Sequence, residues 1–455
     1  YEFVYDSWHN QLQNLRDGRI DFLCHAQKTP EREAAYIFSK YPSGNEAGII
    51  YVRPTDNRYY YNDFANFNGL KIAMMSNSFQ NEALAKYAAA KNFSYTPSYY
   101  ATETEAFIAL NSGEADAVAM GSMAAQTGYK IICRFDAAPF YFMASPANSD
   151  LMSQMDDALN ELLGTAPYYL ETLHKDYYGG ADAAHSLNLS REEAAYIEAG
   201  NVIKVGQLRH RYPISDYNET TGSLSGINED ILDLLAQRTG LRFEAAPFGQ
   251  NQQPMQALKA NQFDLVMGIL KADNFRDDPT IRLSNVFNKT QLSVVKPKGT
   301  SFDPRQDYRV AIKPSFQVLD EYLAANYPHF KRLYYGNDAE CADALINGDV
   351  DILVQNVYVE NHLLQNPRYE SLEMLPTAFM IEKNVLATRS DTDPRLISII
   401  NKGLKMIGDN EINDIILKHT TAKPYVLTTG DLMYKYRLPL LLAVIFIAIC
   451  IALIT

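Results

Sequence analysis

The sequence predicts an α/β chain made of two tandem copies of one two-lobed domain, closed by an apolar C-terminal helix. Three observations carry this. Blocks of residues recur in the same order in the two halves of the chain, as an internal duplication with a long period requires. Short apolar runs alternate throughout with amphipathic stretches, the pattern of lobes with largely parallel sheets. The last residues form an uncharged apolar run from Leu438 to Ile454, of the kind a membrane-spanning helix needs.

Taken in chain order, Tyr1-Glu2-Phe3-Val4-Tyr5 reads as a strand. Leu15-Arg16-Asp17-Gly18-Arg19-Ile20-Asp21-Phe22-Leu23 then reads as a helix end turning into a buried strand, and Leu258 to Val266 repeats it around Asp264. Tyr51-Val52-Arg53-Pro54 is echoed by Val294-Val295-Lys296-Pro297, each closing an apolar strand where the chain crosses between lobes. Lys71-Ile72-Ala73-Met74 leads to Ser78-Phe79-Gln80, as Arg309-Val310-Ala311-Ile312 leads to Ser315-Phe316-Gln317. Ala109 to Val118 matches Ala344 to Leu353, with Asp116 and Asp351 aligned.

The second copy has elements that the first lacks. It opens with a strand at Val202-Ile203-Lys204-Val205-Gly206 and a loop holding Tyr212-Pro213. A helix follows with Ile227, Ile231, Leu234 and Leu235 on one face, stopped near Gly240. The strand Leu241-Arg242-Phe243-Glu244 then corresponds to the first residues of the chain, so the first copy is expected to lack about 40 residues. Tyr177-Tyr178-Gly179-Gly180 reads as a break, and Ser190 with Glu193 as a capping box opening a connecting helix. The expected layout is a first domain at 1–178, a linker at 179–200, a second domain at 201–423, a juxtamembrane stretch at 424–437 and a membrane helix at 438–455.

Composition narrows the function. With 47% apolar and 21% charged residues the chain is globular. A net charge of -13 leaves no basic surface for phosphates, which speaks against nucleic acid. Cys24, Cys133, Cys341 and Cys450 form no close pair and no metal-ligand spacing, so no metal or cofactor is expected, while a Cys24 to Cys133 bridge stays open. Tyr434, Lys435, Tyr436 and Arg437 suit an interfacial belt before the apolar run; no signal peptide is visible. No nucleophile elbow, catalytic carboxylate pair or phosphate loop is present, so no enzyme activity is expected within these residues.

Gly18-Arg19-Ile20-Asp21, then Thr29-Pro30-Glu31-Arg32, then Phe38-Ser39-Lys40-Tyr41, together with Gly113 to Asp116, resemble the signatures of extracellular solute-binding protein family 3, the type II periplasmic-binding or venus-flytrap fold. The resemblance covers nearly all of residues 1–423, twice over. It implies that Arg32 grips a ligand carboxylate by paired charge-assisted hydrogen bonds, that Thr29 adds a hydroxyl, and that Trp8 walls the ligand. It also implies that Ser78 and Phe79 present free N–H groups at a helix start. Plain alternatives stand beside these: a surface ion pair for Arg32, a core position for Trp8, a helix cap for Ser78.

Departures from the family matter as much. Family members that bind amino acids carry an Asp for the ligand ammonium where this chain has Gly121 and, in the second copy, Asn356; without it a classical α-amino acid loses its charge partner and a different anion is indicated, so the ligand expected from the resemblance is amino-acid-like or another small carboxylate. In the second copy Arg276 sits one residue further from its Asp, and Asn251 stands in place of Trp8. Tyr212, Arg276, Ser315, Phe316 and Asn356 are its candidate cleft residues, with Tyr212 equally suited to a packed loop. The expected function is that of a receptor's sensing region, with residues 1–437 outside the cell membrane. It would signal by lobe closure through one membrane helix to a cytoplasmic output module, as a homodimer. Tandem binding domains fused to an importer permease are the alternative, and a secreted binding protein the third.

Overall fold

A computed structural model of the chain describes residues 2–124, 128–183, 187–248, 254–271, 278–314, 316–421 and 429–454. Its contacts divide into two compact units, Tyr1–Ala195 and Tyr196–Thr455.

In the first unit the strands are β1 (Phe22–Ala26), β2 (Ile37–Phe38), β3 (Gly44–Val52), β4 (Leu70–Met75), β5 (Tyr95–Tyr100), β6 (Ala117–Gly121) and β7 (Lys130–Ala144). The helices are α1 (Trp8–Arg16), α2 (Pro30–Ala35), α3 (Phe79–Lys91), α4 (Glu103–Ser112), α5 (Ser149–Thr165) and α6 (Tyr169–Ala183), and α7 (Arg191–Glu198) runs across the boundary between the units. The strand order is β1-β7-β3-β6-β4-β5, with β2 also on β7. β4 runs parallel to both β5 and β6, whereas β3 and β7 are antiparallel to their neighbours. A parallel, helix-covered half is thereby joined through two long antiparallel strands to the element that carries β1.

The second unit contains β8 (Val202–Gln207), β9 (His210–Arg211), β10 (Ser215–Asn218), β11 (Ser223–Ser225), β12 (Arg242–Pro247), β13 (Leu265–Lys271), β14 (Ile281–Leu283), β15 (Asn288–Pro297), β16 (Arg309–Ile312), β17 (Lys331–Tyr334), β18 (Ile352–Asn356), β19 (Leu372–Met374) and β20 (Met380–Arg389). Its helices are α8 (Ile227–Thr239), α9 (Pro254–Lys259), α10 (Gln317–Asn326), α11 (Asp338–Asn347), α12 (Val357–Leu363), α13 (Pro394–Met406), α14 (Asp409–Thr421), α15 (Thr429–Lys435) and α16 (Arg437–Ile454). The main sheet runs β12-β8-β13-β20-β15-β18-β16-β17. Two parallel halves, β12-β8-β13 and β18-β16-β17, flank the antiparallel pair β20-β15. The order β13-β20-β15-β18-β16-β17 repeats β1-β7-β3-β6-β4-β5, so the duplication is structural.

The repeated aspartates have one local job. Asp116 accepts a hydrogen bond from Lys71 N at 3.2 Å, Asp351 from Arg309 N at 2.8 Å and Asp264 from Lys204 N at 3.0 Å. Each carboxylate accepts from a backbone N–H within the first three residues of the neighbouring parallel strand and so helps fix its register. The glycines before two of them, Gly113 and Gly348, end α4 and α11 at φ 84° and 75°, a left-handed conformation that side chains disfavour. Central strands such as β6 and β18 are buried almost without alternation, as strands covered on both faces must be.

Several local expectations are corrected. Residues 2–7 form no strand, and Phe3 and Tyr5 are exposed; no described strand runs alongside them, whereas β12 has β8 as its partner. Gly179 and Gly180 do not break the chain but lie inside α6; a glycine costs a helix only about 1 kcal/mol against alanine. In α8 it is Leu232 rather than Leu234 that is buried with Ile227, Ile231 and Leu235. All four cysteines are free, with Cys24 exposed and Cys133 buried. The Ser190–Glu193 capping box is present, Ser190 N to Glu193 Oε2 at 2.7 Å and Glu193 N to Ser190 Oγ at 3.2 Å. α16 exposes its large apolar residues from Leu440 to Ile451, yet among the described residues no helix is long and apolar enough to cross a membrane.

On α12, Glu360 is buried and neither carboxylate oxygen has a hydrogen-bond partner among the described residues. Burial pushes its carboxyl up to about 8, with Asp338 adding to the shift and Lys313 opposing it. A carboxyl whose folded value is raised contributes stability that is present at low pH and lost as pH rises through that value. Glu360→Gln is therefore expected to melt several degrees above the wild type at pH 8.5, with the gap closing toward pH 5, in a scanning-fluorimetry pH series.

Candidate functional site

In open α/β sheets ligands bind beyond the carboxyl ends of the parallel strands. In the first unit the loops past β4 and β6 bring together Gln80 in the first turn of α3 and Met123, and Gln27, just past β1, joins them from across the antiparallel strands. All three meet one side chain from the crossing strand β3. Glu46 is 5% exposed; its Oε2 accepts from Gln27 Nε2 and from Gln80 Nε2, both at 2.9 Å, and its Oε1 from Met123 N at 3.2 Å. His25 Nε2 stands 3.5 Å from the same carboxylate.

Glu46 explains Gly121. β3 and β6 pair with Gly48 opposite Gly121, so Glu46, two residues before Gly48, projects on the same face. A Cβ on Gly121 would collide with the Glu46 carboxylate. The space beside Gly121 is thus occupied by the Glu46 carboxylate from the adjacent strand. Glu103, at the start of α4, has its pKa raised by burial first and then by Glu46, with His25 opposing.

Arg32 lies at the other end of this polar chain. Thr29 caps α2, its hydroxyl accepting from Arg32 N at 3.2 Å. The Arg32 guanidinium donates to Gln27 O at 3.0 Å and stacks over Trp8, 5.1 Å from the ring centroid. No carboxylate pairs with it among the described residues, and burial lowers its pKa. Trp8 packs against Leu15, Leu23, Ala26 and Met143, yet its indole Nε1 is buried without an acceptor among the described residues. Gln80 Oε1 is likewise buried without a donor. Such groups are costly unless something else engages them. Ser78 caps α3, accepting from Gln80 N at 3.3 Å, and the Phe79 side chain packs against the core that includes Ile72 and Leu84.

In the second unit the corresponding position is filled differently. Asn356, the last residue of β18, is fully buried and donates to Glu382 Oε2 at 2.7 Å and to Thr290 Oγ1 at 2.9 Å. Phe316, just before α10, is buried with the Arg211 guanidinium over its ring at 5.5 Å. Tyr212 turns elsewhere: its ring packs on His362 at 4.5 Å and its hydroxyl donates to His419 O at 3.1 Å, beside a cavity of about 60 Å³. Asn251, Arg276 and Ser315 lie outside the described residues.

Thus the structure brings Trp8, Thr29 and Arg32 together and joins Ser78 and Gly121 to them through Gln80 and Glu46. The sequence reading missed Glu46, Gln27, Gln80, Arg211, Thr290 and Glu382. The available signal at Glu46 was the one charged residue of an otherwise uncharged crossing strand, whereas β20 around Glu382 also carries Lys383, Asn384 and Arg389 and offers no such contrast.

A family model described as bacterial extracellular solute-binding proteins, family 3, matches residues 1–179 and 203–422. The virulence sensor protein BvgS of Bordetella pertussis is 23% identical over 435 residues, covering 90% of this chain and 33% of that protein. The sensor protein EvgS of Escherichia coli K12 is 24% identical over 252 residues, covering 54% of this chain and 20% of that protein. The chain spans at most about a third of the length of these relatives. Among solved structures, the B. pertussis BvgS periplasmic domain is similar at 20% identity and a TM-score of 0.47, covering 95% of this chain and 84% of that one. The BvgS periplasmic VFT2 domain is similar at 22% and 0.44, covering 50% and 98%.

Glu46→Ala strands two buried amides and is expected to cost on the order of 2–4 kcal/mol. Gly121→Asp, which drives a second carboxylate into the first, should cost at least as much. In calorimetry the double variant should lose less than the two single losses combined, because the introduced carboxylate occupies the space that Glu46 vacates.

Proposed function

This chain belongs to the bacterial extracellular solute-binding proteins, family 3, and from that membership we propose that it is the ligand-sensing, extracytoplasmic region of a membrane receptor whose first unit captures a small carboxylate. The observation that carries the ligand class is a pair of donors without an anion at one end of the first cleft. The Arg32 guanidinium has no carboxylate partner among the described residues, and the indole N–H of Trp8 beside it has no acceptor. A planar anion satisfies both at once. At the other end the free Gln80 Oε1 beside Glu46 asks for a hydrogen-bond donor. The fitting ligand is amino-acid-like: a carboxylate for Arg32 and a donor head, an ammonium or hydroxyl, for Gln80 and Glu46. Trp8, Thr29, Arg32, Ser78 and Gly121 are its proposed contacts or their immediate supports.

The sensing role draws on the relatives, which are sensor proteins by name. The proposed domains are residues 1–178 and 201–423, joined by 179–200 and followed by a juxtamembrane stretch at 424–437. The apolar surface of α16, preceded by Tyr436 and Arg437, is of a kind that water does not favour; residues 438–455 are proposed to enter the membrane and to carry lobe closure to an output module, in a homodimer. A ligand that binds the closed form better shifts the population toward it by its differential affinity alone.

A thermal-shift screen of the chain against amino acids, hydroxy acids and other small organic acids tests the reading. At 100 times its dissociation constant a ligand stabilises by about 2.7 kcal/mol, which moves a unit of this size by roughly 5–10 °C. The expected result is such a rise in the first transition, lost in Arg32→Ala. A rise indifferent to Arg32→Ala contradicts the assignment.

A further inference from the structure

We infer that the second unit contains a guanidinium-binding site, built by Glu382, Thr290 and Asn356, and that its occupant is Arg211 of the same chain. The inference concerns the second cleft and does not depend on which ligand the first one takes.

Four buried side chains converge there. Glu382, on the crossing strand β20, is 1% exposed, Asn356 0%, Thr290 3% and Arg211 7%. The carboxylate is engaged on both oxygens: Oε1 by Arg211 Nη2 at 3.2 Å, Oε2 by Thr290 Oγ1 at 2.8 Å and Asn356 Nδ2 at 2.7 Å. The Asn356 side chain is itself held, its Oδ1 accepting from Tyr358 N at 3.0 Å. Phe316 closes the other side of the guanidinium, so the cation meets a carboxylate at one edge and an aromatic face at the other, the two groups that best replace its lost hydration.

Position separates this pair from an ordinary buried ion pair. Arg211 lies beyond the carboxyl end of β8 in one parallel half of the sheet. Phe316 and Asn356 lie at the carboxyl ends of β16 and β18 in the other half. Glu382 and Thr290 sit on the two antiparallel strands between the halves. This is the place where such a sheet receives a ligand, and here it holds a cation from its own chain. In the first unit the homologous strand ends surround Glu46 without any arginine engaging it among the described residues.

Truncating Arg211 leaves Glu382 buried without its counter-ion, which is strongly destabilising, and it vacates a space of guanidinium shape. The test is chemical rescue on the full chain. Arg211→Ala, Arg211→Ala/Glu382→Gln and the wild type are melted in 10 mM methylguanidinium chloride and, separately, in 10 mM methylammonium chloride. The expected result is a rise of several degrees for Arg211→Ala with methylguanidinium alone, and no matching rise in the wild type or the double variant. An equal response of the wild type, equal rescue by methylammonium, or no rescue of a folded Arg211→Ala overturns the inference. Should Arg211→Ala fail to fold, Arg211→Gln, which keeps a donor toward Glu382, replaces it with the same outcomes.

Discussion

A carboxylate withdrawn from water is tolerated only when its lone pairs are engaged, and each unit of this chain places one such carboxylate on a strand that crosses between the halves of its sheet. Glu46 on β3 and Glu382 on β20 are both nearly inaccessible, and both take partners from beyond or at the ends of strands in both halves, Gln27 and Gln80 for Glu46, Arg211 and Asn356 for Glu382, with Thr290 added from the neighbouring antiparallel strand. Because those strand ends belong to different halves, the requirement to satisfy one group fixes where the halves stand relative to each other within the unit. The polar centre of each cleft therefore also serves as its structural tie.

The two ties differ in what they leave open. Around Glu46 the donors are neutral amides, while nearby the Arg32 guanidinium, bonded to Gln27 O, has no carboxylate partner among the described residues, and the Trp8 indole N–H has no acceptor there. Around Glu382 the donors include a guanidinium, and both carboxylate oxygens are engaged. The first unit thus has polar capacity to offer a small molecule, and the second has used its own. A duplicated domain can divide its labour in this way, one copy responding to solute and the other holding a fixed arrangement near the end of the chain.

Much of the fold was legible in the sequence because the duplication repeats local requirements. The aspartates at 116, 264 and 351 each cap a neighbouring strand, and the glycines at 113 and 348 each end a helix at positive φ; such needs are set within a few residues and leave a readable pattern. Glu46, Arg211 and Glu382 were not legible, because their partners come from distant segments and only the strand pairing shows where they point. Gly121 shows the limit best: read alone it looks like a lost carboxylate, and beside β3 it is the space that lets Glu46 enter. The segment 2–7 was misread because alternation of apolar residues says nothing about whether a partner strand is there to pair with it.

The most direct test of the tie is hydrogen exchange on Glu382→Ala compared with the wild type. If one carboxylate holds both halves of the second unit, exchange should rise together at β9, at the start of α10 and at the end of β18, while the first unit stays unchanged. A rise confined to β20, or no change at all, would contradict the account.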